Sequence, residues 1–187
     1  MCPRFRVCGN TSTHLHTYCA LRAFALLAPH YPGARLSIAG SGPEAAALVA
    51  LARELGIADQ VRFTGRLDRD QMAALYRDAD LMLNASRVDN MPNAILEALA
   101  SGLPVVTTDA GGIPFIVRQR ETAMLVAVDD PAAMAASARQ VLDDPALRAA
   151  LATAGRHEVQ RYRWSSVRTE LLSAYADALR MPKVQAT

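Results

Sequence analysis

The chain predicts an α/β fold in which a parallel sheet carries helices on both faces. Three observations lead to it. Short apolar runs of strand length, such as residues 35–39, 81–84 and 105–107, alternate with segments of helical period. Glycine turns (Gly40-Ser41-Gly42-Pro43, Thr64-Gly65-Arg66 and Gly111-Gly112-Ile113-Pro114) stand between a strand and the next helix. From residue 131 onward only helical patterns follow, the last of them long. Strands spaced by helices in this way cannot be joined by hairpins, so a parallel sheet is required.

Taken in order, residues 4–8 can pair as a short strand, whereas residues 11–18 are polar, histidine-dotted and without period. The expected organisation is an irregular N-terminal segment over 1–18, holding that strand, and one ligand-binding domain over 19–187. Residues 19–29 read as a helix with Leu21, Phe24, Ala25 and Ala28 on one face. The strand at 35–39 runs into Gly40, and a helix over 44–55 is closed by Gly56. A strand at 61–63 follows, and Asp68 is placed to cap the next helix, through Gln71, Ala74 and Leu75. The strand at 81–84 leads into the stretch that organises the chain, residues 88–112. There Pro92 suits the first helical position and Asp89 with Asn90 supplies helix-start chemistry. Gly102 and Pro104 stop the helix. Ile95, Ala98 and Leu99 share its apolar face, while Asn93, Glu97 and Ser101 recur at spacing four on another. The last strand is expected at 123–126, after a short helix near 115–118, and helices at 132–142, 145–154 and 164–179 complete the chain.

The totals narrow the classes. A chain of 187 residues suits a single domain with a substantial core. The net charge of +2 gives no argument for nucleic acid. Lys183 is the single lysine, so the basic residues are arginines almost throughout. Cys2, Cys8 and Cys19 form no CxxC pair, which supports neither a zinc site nor a disulfide framework. No apolar run reaches the ~18 residues of a spanning helix.

Every glycine turn falls after a strand, and ligands of such sheets collect at the carboxyl ends of the strands. Gly40-Ser41-Gly42-Pro43-Glu44-Ala45 fits the dinucleotide pattern G-x-G-x-x-A. That pattern requires an acid near the end of the next strand to hold a ribose, and Thr64-Gly65 stands there instead, which argues against a dinucleotide enzyme. Gly111-Gly112 offers backbone amides to an anionic or hydroxyl-rich ligand, or is a plain turn. Asp89 and Glu97 lie eight positions apart, about 12 Å along a helix at roughly 1.5 Å per residue, suiting an extended polar ligand with an anionic middle. Alone, Glu97 reads first as a solvated helix residue and Asp89 can be merely a helix-start residue, and the convergence on one sheet edge carries the argument. His14, His16, His30 and His157 have no partners at ligand spacing and read as surface residues. Trp164 reads as a core or interface anchor.

Four blocks, Ile38–Glu44, Val61–Gly65, Asp89–Gly102 and Pro104–Pro114, resemble the C-terminal domain of family 4 glycosyltransferases with the GT-B fold, over about residues 35–179. The resemblance implies a Rossmann-like, nucleotide-sugar-binding domain, a nucleotide-diphosphate-sugar donor, no further cofactor, and transfer with retention at the anomeric carbon. Asp89 and Glu97 occupy the positions of the family's two acids: Glu97 would hold the ribose hydroxyls, and Asp89, the candidate catalytic residue, the donor sugar. Amides around Asn90, Met91 and Asn93 would approach the diphosphate or sugar. The nucleobase would rest near Thr64, Gly65, Arg66 and Leu67, with Gly40, Gly42, Gly111 and Gly112 lining the same cleft.

The chain also departs from the family pattern. Asp89 replaces the commoner glutamate, Phe115 stands where many members carry an acid, and no lysine precedes Lys183 to offset the leaving diphosphate. Family members carry an N-terminal domain of comparable size with the acceptor site, so the chain reads as a fragment, a split protein or a mis-started frame. The expected function is donor binding for a retaining glycosyltransferase that passes sugar to a saccharide or lipid-linked acceptor in polysaccharide or glycolipid assembly. Its expected location is cytoplasmic, with the inner membrane face as a peripheral site, and an N-terminal domain or a second copy as partner. The rival expectation is a catalytically silent sugar-nucleotide module acting only in a complex.

Overall fold

The structure, a computed structural model, describes residues 4–8 and 16–180. Six strands form one parallel sheet: β1 (Arg4–Cys8), β2 (Arg35–Ala39), β3 (Val61–Gly65), β4 (Leu81–Asn84), β5 (Val105–Thr108) and β6 (Met124–Val126). Their order across the sheet is β3-β2-β1-β4-β5-β6. The chain therefore runs outward from β1 to one edge, returns, and runs outward from β4 to the other. The switch point between β1 and β4 opens a crevice at the carboxyl ends.

The helices are α1 (His16–Leu27), α2 (Ala45–Glu54), α3 (Arg69–Arg77), α4 (Asn93–Ala100), α5 (Pro131–Asp143), α6 (Pro145–Glu158) and α7 (Trp164–Arg180). Period-two alternation along the strands feeds two cores, one on each face. Leu36, Ile38, Leu81, Leu83, Val106 and Met124 join Leu21 and Phe24 of α1, Leu48 of α2 and Met134 of α5 on one side. Ala39, Met82 and Val105 join Leu75 and Tyr76 of α3 with Ile95 and Leu99 of α4 on the other. Strands buried on both faces must be apolar almost throughout, which is why they read as continuous runs.

Element types agree with the sequence reading, and several boundaries move. The first helix begins at His16 rather than at Cys19, and ends in a 3₁₀ turn over Ala28–His30. Tertiary packing supplies the reason: Thr17, Cys19, Ala20 and Leu21 are all buried, so the polar look of the segment hid a covered turn of helix. The short helix expected near 115–118 is a 3₁₀ turn, Ile113–Phe115. Pro92 is the N-cap of α4, with extended backbone (φ −72°, ψ 92°), rather than its first helical residue. Asp68 does cap α3, in a reciprocal box: the Gln71 amide donates to Asp68 Oδ1 (2.8 Å) and the Asp68 amide to Gln71 Oε1 (3.0 Å). Trp164 is 67 % exposed and belongs to no core. Cys2, His14 and Lys183 lie outside the described residues.

Candidate functional site

Of the candidate site residues, Thr64 and Gly65 end β3, Asn93 and Glu97 belong to α4, and the others lie in the loops after β2, β3, β4 and β5, all four of which leave the carboxyl edge of the sheet. The β4–α4 loop is the best anchored of them. Asn84, at the end of β4, donates through Nδ2 to Thr107 Oγ1 (2.9 Å), and Ser86 Oγ donates to Asn84 Oδ1 (3.2 Å). The Thr108 hydroxyl donates to the Ser86 carbonyl. All four residues are buried, so these polar groups satisfy one another away from water and fasten the loop to β5.

Asp89 follows, half-buried. Its carbonyl accepts from the Gly112 amide at 2.7 Å. Gly111 has φ +55°, and a methyl group on either glycine would strike backbone: Asp89 O from Gly111, Asn90 O from Gly112. The pair of glycines thus lets two loops lie backbone against backbone. Asp89 is therefore held by its main chain, and its carboxylate has no hydrogen-bond partner among the described residues.

From Pro92 the chain enters α4 with no side chain bonded at its start. The N–H groups of Asn93 and Ala94 have no intramolecular acceptor among the described residues. An uncapped helix start of this kind favours an anion. The eight-residue spacing from Asp89 to Glu97 is only half helical, because 89–92 are loop, so a straight 12 Å span along one axis does not apply.

Glu97 projects from the exposed flank of α4 into a cavity of about 450 Å³ between α3 and α4. Leu67, Met72 and Tyr76 give it an apolar wall, and Asp68, Arg69 and Ser101 a polar rim. Tyr76 donates to Glu97 Oε2 at 3.2 Å. Of the positions assigned to the base, Leu67 lines this cavity, while Thr64, Gly65 and Arg66 sit at the adjoining strand end outside it. Gly40 and Gly42 are one strand further along. There the Gly40 amide donates to Gly65 O (2.8 Å), joining the two glycine turns. Tyr18 donates to Glu44 Oε2 (2.9 Å), tying the start of α1 to the β2–α2 turn; that bond, first of all, pushes the phenol up from its ordinary value. No cluster of three His, Cys, Asp or Glu side chains suited to a metal occurs among the described residues. Cys19 is buried, and that burial, with Asp129 and Asp130 nearby, pushes its thiol up to about 11, which disfavours a nucleophilic thiolate.

Sequence reasoning missed the Asn84–Ser86–Thr107–Thr108 network and Tyr76. The first had a legible signal, polar residues closing two otherwise apolar strands (Leu-Met-Leu-Asn and Val-Val-Thr-Thr). Tyr76 had none, since its partner lies 21 positions away on another helix.

A profile of the family described as "Glycosyl transferases group 1" matches residues 14–158. The glycogen synthase of Mycobacterium tuberculosis is 35 % identical over 162 residues, covering 86 % of this chain and 39 % of that protein. The D-inositol 3-phosphate glycosyltransferase of Salinispora tropica is 38 % identical over 141 residues, covering 75 % and 29 %. The chain thus spans less than half the length of these relatives. Among solved structures, sucrose-phosphate synthase from Thermosynechococcus elongatus superposes with a TM-score of 0.83 at 26 % identity, over 95 % of this chain and 45 % of that one. HepE of Anabaena, solved in complex with UDP and glucose, gives a TM-score of 0.84 at 18 % identity, over 93 % and 48 %, a likeness of fold. No helix among the described residues is long and apolar enough to cross a membrane. A doubly wound sheet of this order, with its carboxyl edge built as above and the family profile running through it, has one assignment: the chain belongs to the glycosyl transferases group 1 family, with the fold of the C-terminal half of a GT-B glycosyltransferase.

Proposed function

We propose that this chain is the donor-binding half of a retaining glycosyltransferase that takes sugar from a nucleotide-diphosphate-sugar, with no further cofactor. The observation that carries the reading is the placement of one helix. The uncapped start of α4 offers amides to a diphosphate, and Glu97, one turn further on, offers a carboxylate at a 450 Å³ cavity fit for a nucleoside. In this reading Glu97 accepts from the ribose hydroxyls. The base lies against Leu67 and Met72, near the strand end at Thr64, Gly65 and Arg66. Asp89, with Asn90, Met91, Asn93, Gly111 and Gly112 about it, meets the sugar and its phosphates, and Gly40 and Gly42 close the far side of the cleft. The bond from the anomeric carbon to the diphosphate breaks, the acceptor oxygen bonds to that carbon as its proton passes to the departing diphosphate, and the protein's part is positioning and stabilisation of the departing charge. HepE, whose structure holds UDP and glucose, supports a ligand of this chemistry.

The acceptor, a saccharide or lipid-linked sugar, belongs in this reading to a further domain. The exposed apolar strip of α7 and the greater length of the relatives both support one. A silent binding module is the second reading, favoured by the absence of any lysine before Lys183 to offset a diphosphate.

Calorimetry with UDP, GDP and ADP tests the site. One of them should bind, and Glu97→Ala should weaken it about tenfold or more, since a charge-assisted hydrogen bond is worth roughly 1.5–3 kcal/mol. A folded chain that binds none of the three overturns the donor site. Sugar turnover by a longer protein containing this domain, set against none by the same protein with Asp89→Ala, separates the enzyme from the silent module.

A further inference from the structure

We propose that Tyr76 is a positioning residue that presents Glu97 to the ligand, and so sets the preference of the site for a ribonucleotide over its 2′-deoxy form. The inference rests on the reading of Glu97 as the ribose carboxylate.

A glutamate on the outer flank of a helix is normally free to turn among rotamers, and only part of that population could receive a sugar hydroxyl. Glu97 is exposed, and nothing on its own helix restrains its carboxylate; Ser101, one turn on, bonds the Glu97 carbonyl instead (2.9 Å). The restraint comes from α3. The Tyr76 ring is packed into the core formed by Leu75, Met82, Ile95 and Leu99, and the residue is only 3 % exposed. Its hydroxyl emerges at the cavity floor, 3.2 Å from Glu97 Oε2 and 3.4 Å from the Ala94 carbonyl. A phenol has one proton to give. The Ala94 carbonyl lies one turn before Ala98 in the helix and is committed to the backbone ladder. The carboxylate is nearer and charged, so it takes the proton and makes the stronger bond.

A locked ring thus points one donor at one carboxylate oxygen and restrains the rotamers of the group. An ionised carboxylate has about four lone-pair directions, and Tyr76 uses one. Glu97 lines the cavity, and both of its oxygens are still able to accept from hydroxyls of a ligand there. A vicinal diol can use that arrangement; a 2′-deoxy sugar has lost one of its two donors. Removing the phenol oxygen would leave the ring packing in place and release Glu97, so the loss would fall on the hydroxyl-dependent part of binding.

The test measures affinity by calorimetry for whichever of UDP, GDP and ADP binds best and for its 2′-deoxy analogue. The proteins are the unmodified chain, Tyr76→Phe and Glu97→Ala, each with its melting temperature. The unmodified chain should prefer the ribonucleotide about tenfold, Glu97→Ala should lose the preference, and Tyr76→Phe should cut it to about threefold, weakening the ribonucleotide more than the deoxy analogue, which keeps one donor to Glu97. In the double variant the phenylalanine should add nothing. Should Tyr76→Phe not fold, Tyr76→Met keeps the apolar bulk without the hydroxyl and is read the same way. A full preference retained without the hydroxyl, while Glu97→Ala abolishes it, overturns the role of Tyr76 and leaves the reading of Glu97 standing. A preference that survives Glu97→Ala, or no binding of any of the three nucleotides, overturns both. Equal weakening toward both nucleotides in Tyr76→Phe would show a merely structural ring, and also overturns the proposal.

Discussion

Helices α4 and α7 have comparable amphipathic patterns and opposite fates. α4 has eight residues, and Ile95, Ala98 and Leu99 are wholly buried. α7 has seventeen and buries none of them: Leu172, Tyr175 and Leu179 stand 55 %, 61 % and 87 % exposed. α4 lies between β5 and α6, and α6 comes so near that a methyl at Gly155 would sit 2.5 Å from Leu99 Cδ2. α7 leaves from the turn Val159–Tyr162 and meets little else. Arg161 holds that turn, donating to the Phe115 carbonyl (2.9 Å) and pairing with Glu158 (2.9 Å). The lesson is that an apolar stripe says a helix has something to cover and leaves open what covers it. The short helix is fixed by β5 and α6 on its apolar face, and the long one leaves its stripe uncovered by the described residues.

The contrast can be broken by one chemical change made twice. Leu99→Ala should lower the unfolding free energy in a denaturant titration by about 2–5 kcal/mol, since the emptied space lies between α4 and α6 and neither can collapse into it. The same titration sharpens the account of how α4 is aimed. Gly112→Ala should cost about 1–3 kcal/mol, because the new methyl meets the Asn90 carbonyl and the loop ahead of α4 must shift. Leu172→Ala, removing the same atoms as the first variant from an exposed site, should stay within about 0.5 kcal/mol. A Leu172→Ala cost as large as that of Leu99→Ala would mean that α7 is covered in solution.

Much of this was legible in the sequence. Strands β2, β4 and β5 stand out because a sheet covered on both faces must be apolar without interruption, and the glycine turns after β2, β3 and β5 mark the edge where ligands collect. Glu97 was readable as part of a polar stripe on a half-buried helix. The start of α1 at His16 was not, because Thr17 is buried by its neighbours rather than by its own character. Nor was the role of Pro92: its fixed φ suits a first helical residue and an N-cap equally, and only its ψ of 92° separates the two. Tyr76 carried no signal in the sequence, and only the meeting of two helices gives its hydroxyl a partner.

The strand order has a consequence for how the sheet comes into being. β1 is earliest in the chain and stands in the middle, so β2 adds to one of its sides, β3 to β2, β4 to the other side, then β5 and β6 in turn. Every newcomer finds an open edge already waiting, and none has to wedge between two strands that have paired. During synthesis, when the earlier part of a chain is free before the later part exists, such an order lets each crossover close onto a finished neighbour. Parallel pairing is slow because a loop must be ordered before contacts reward it. Here that ordering is taken in short instalments, one crossover at a time.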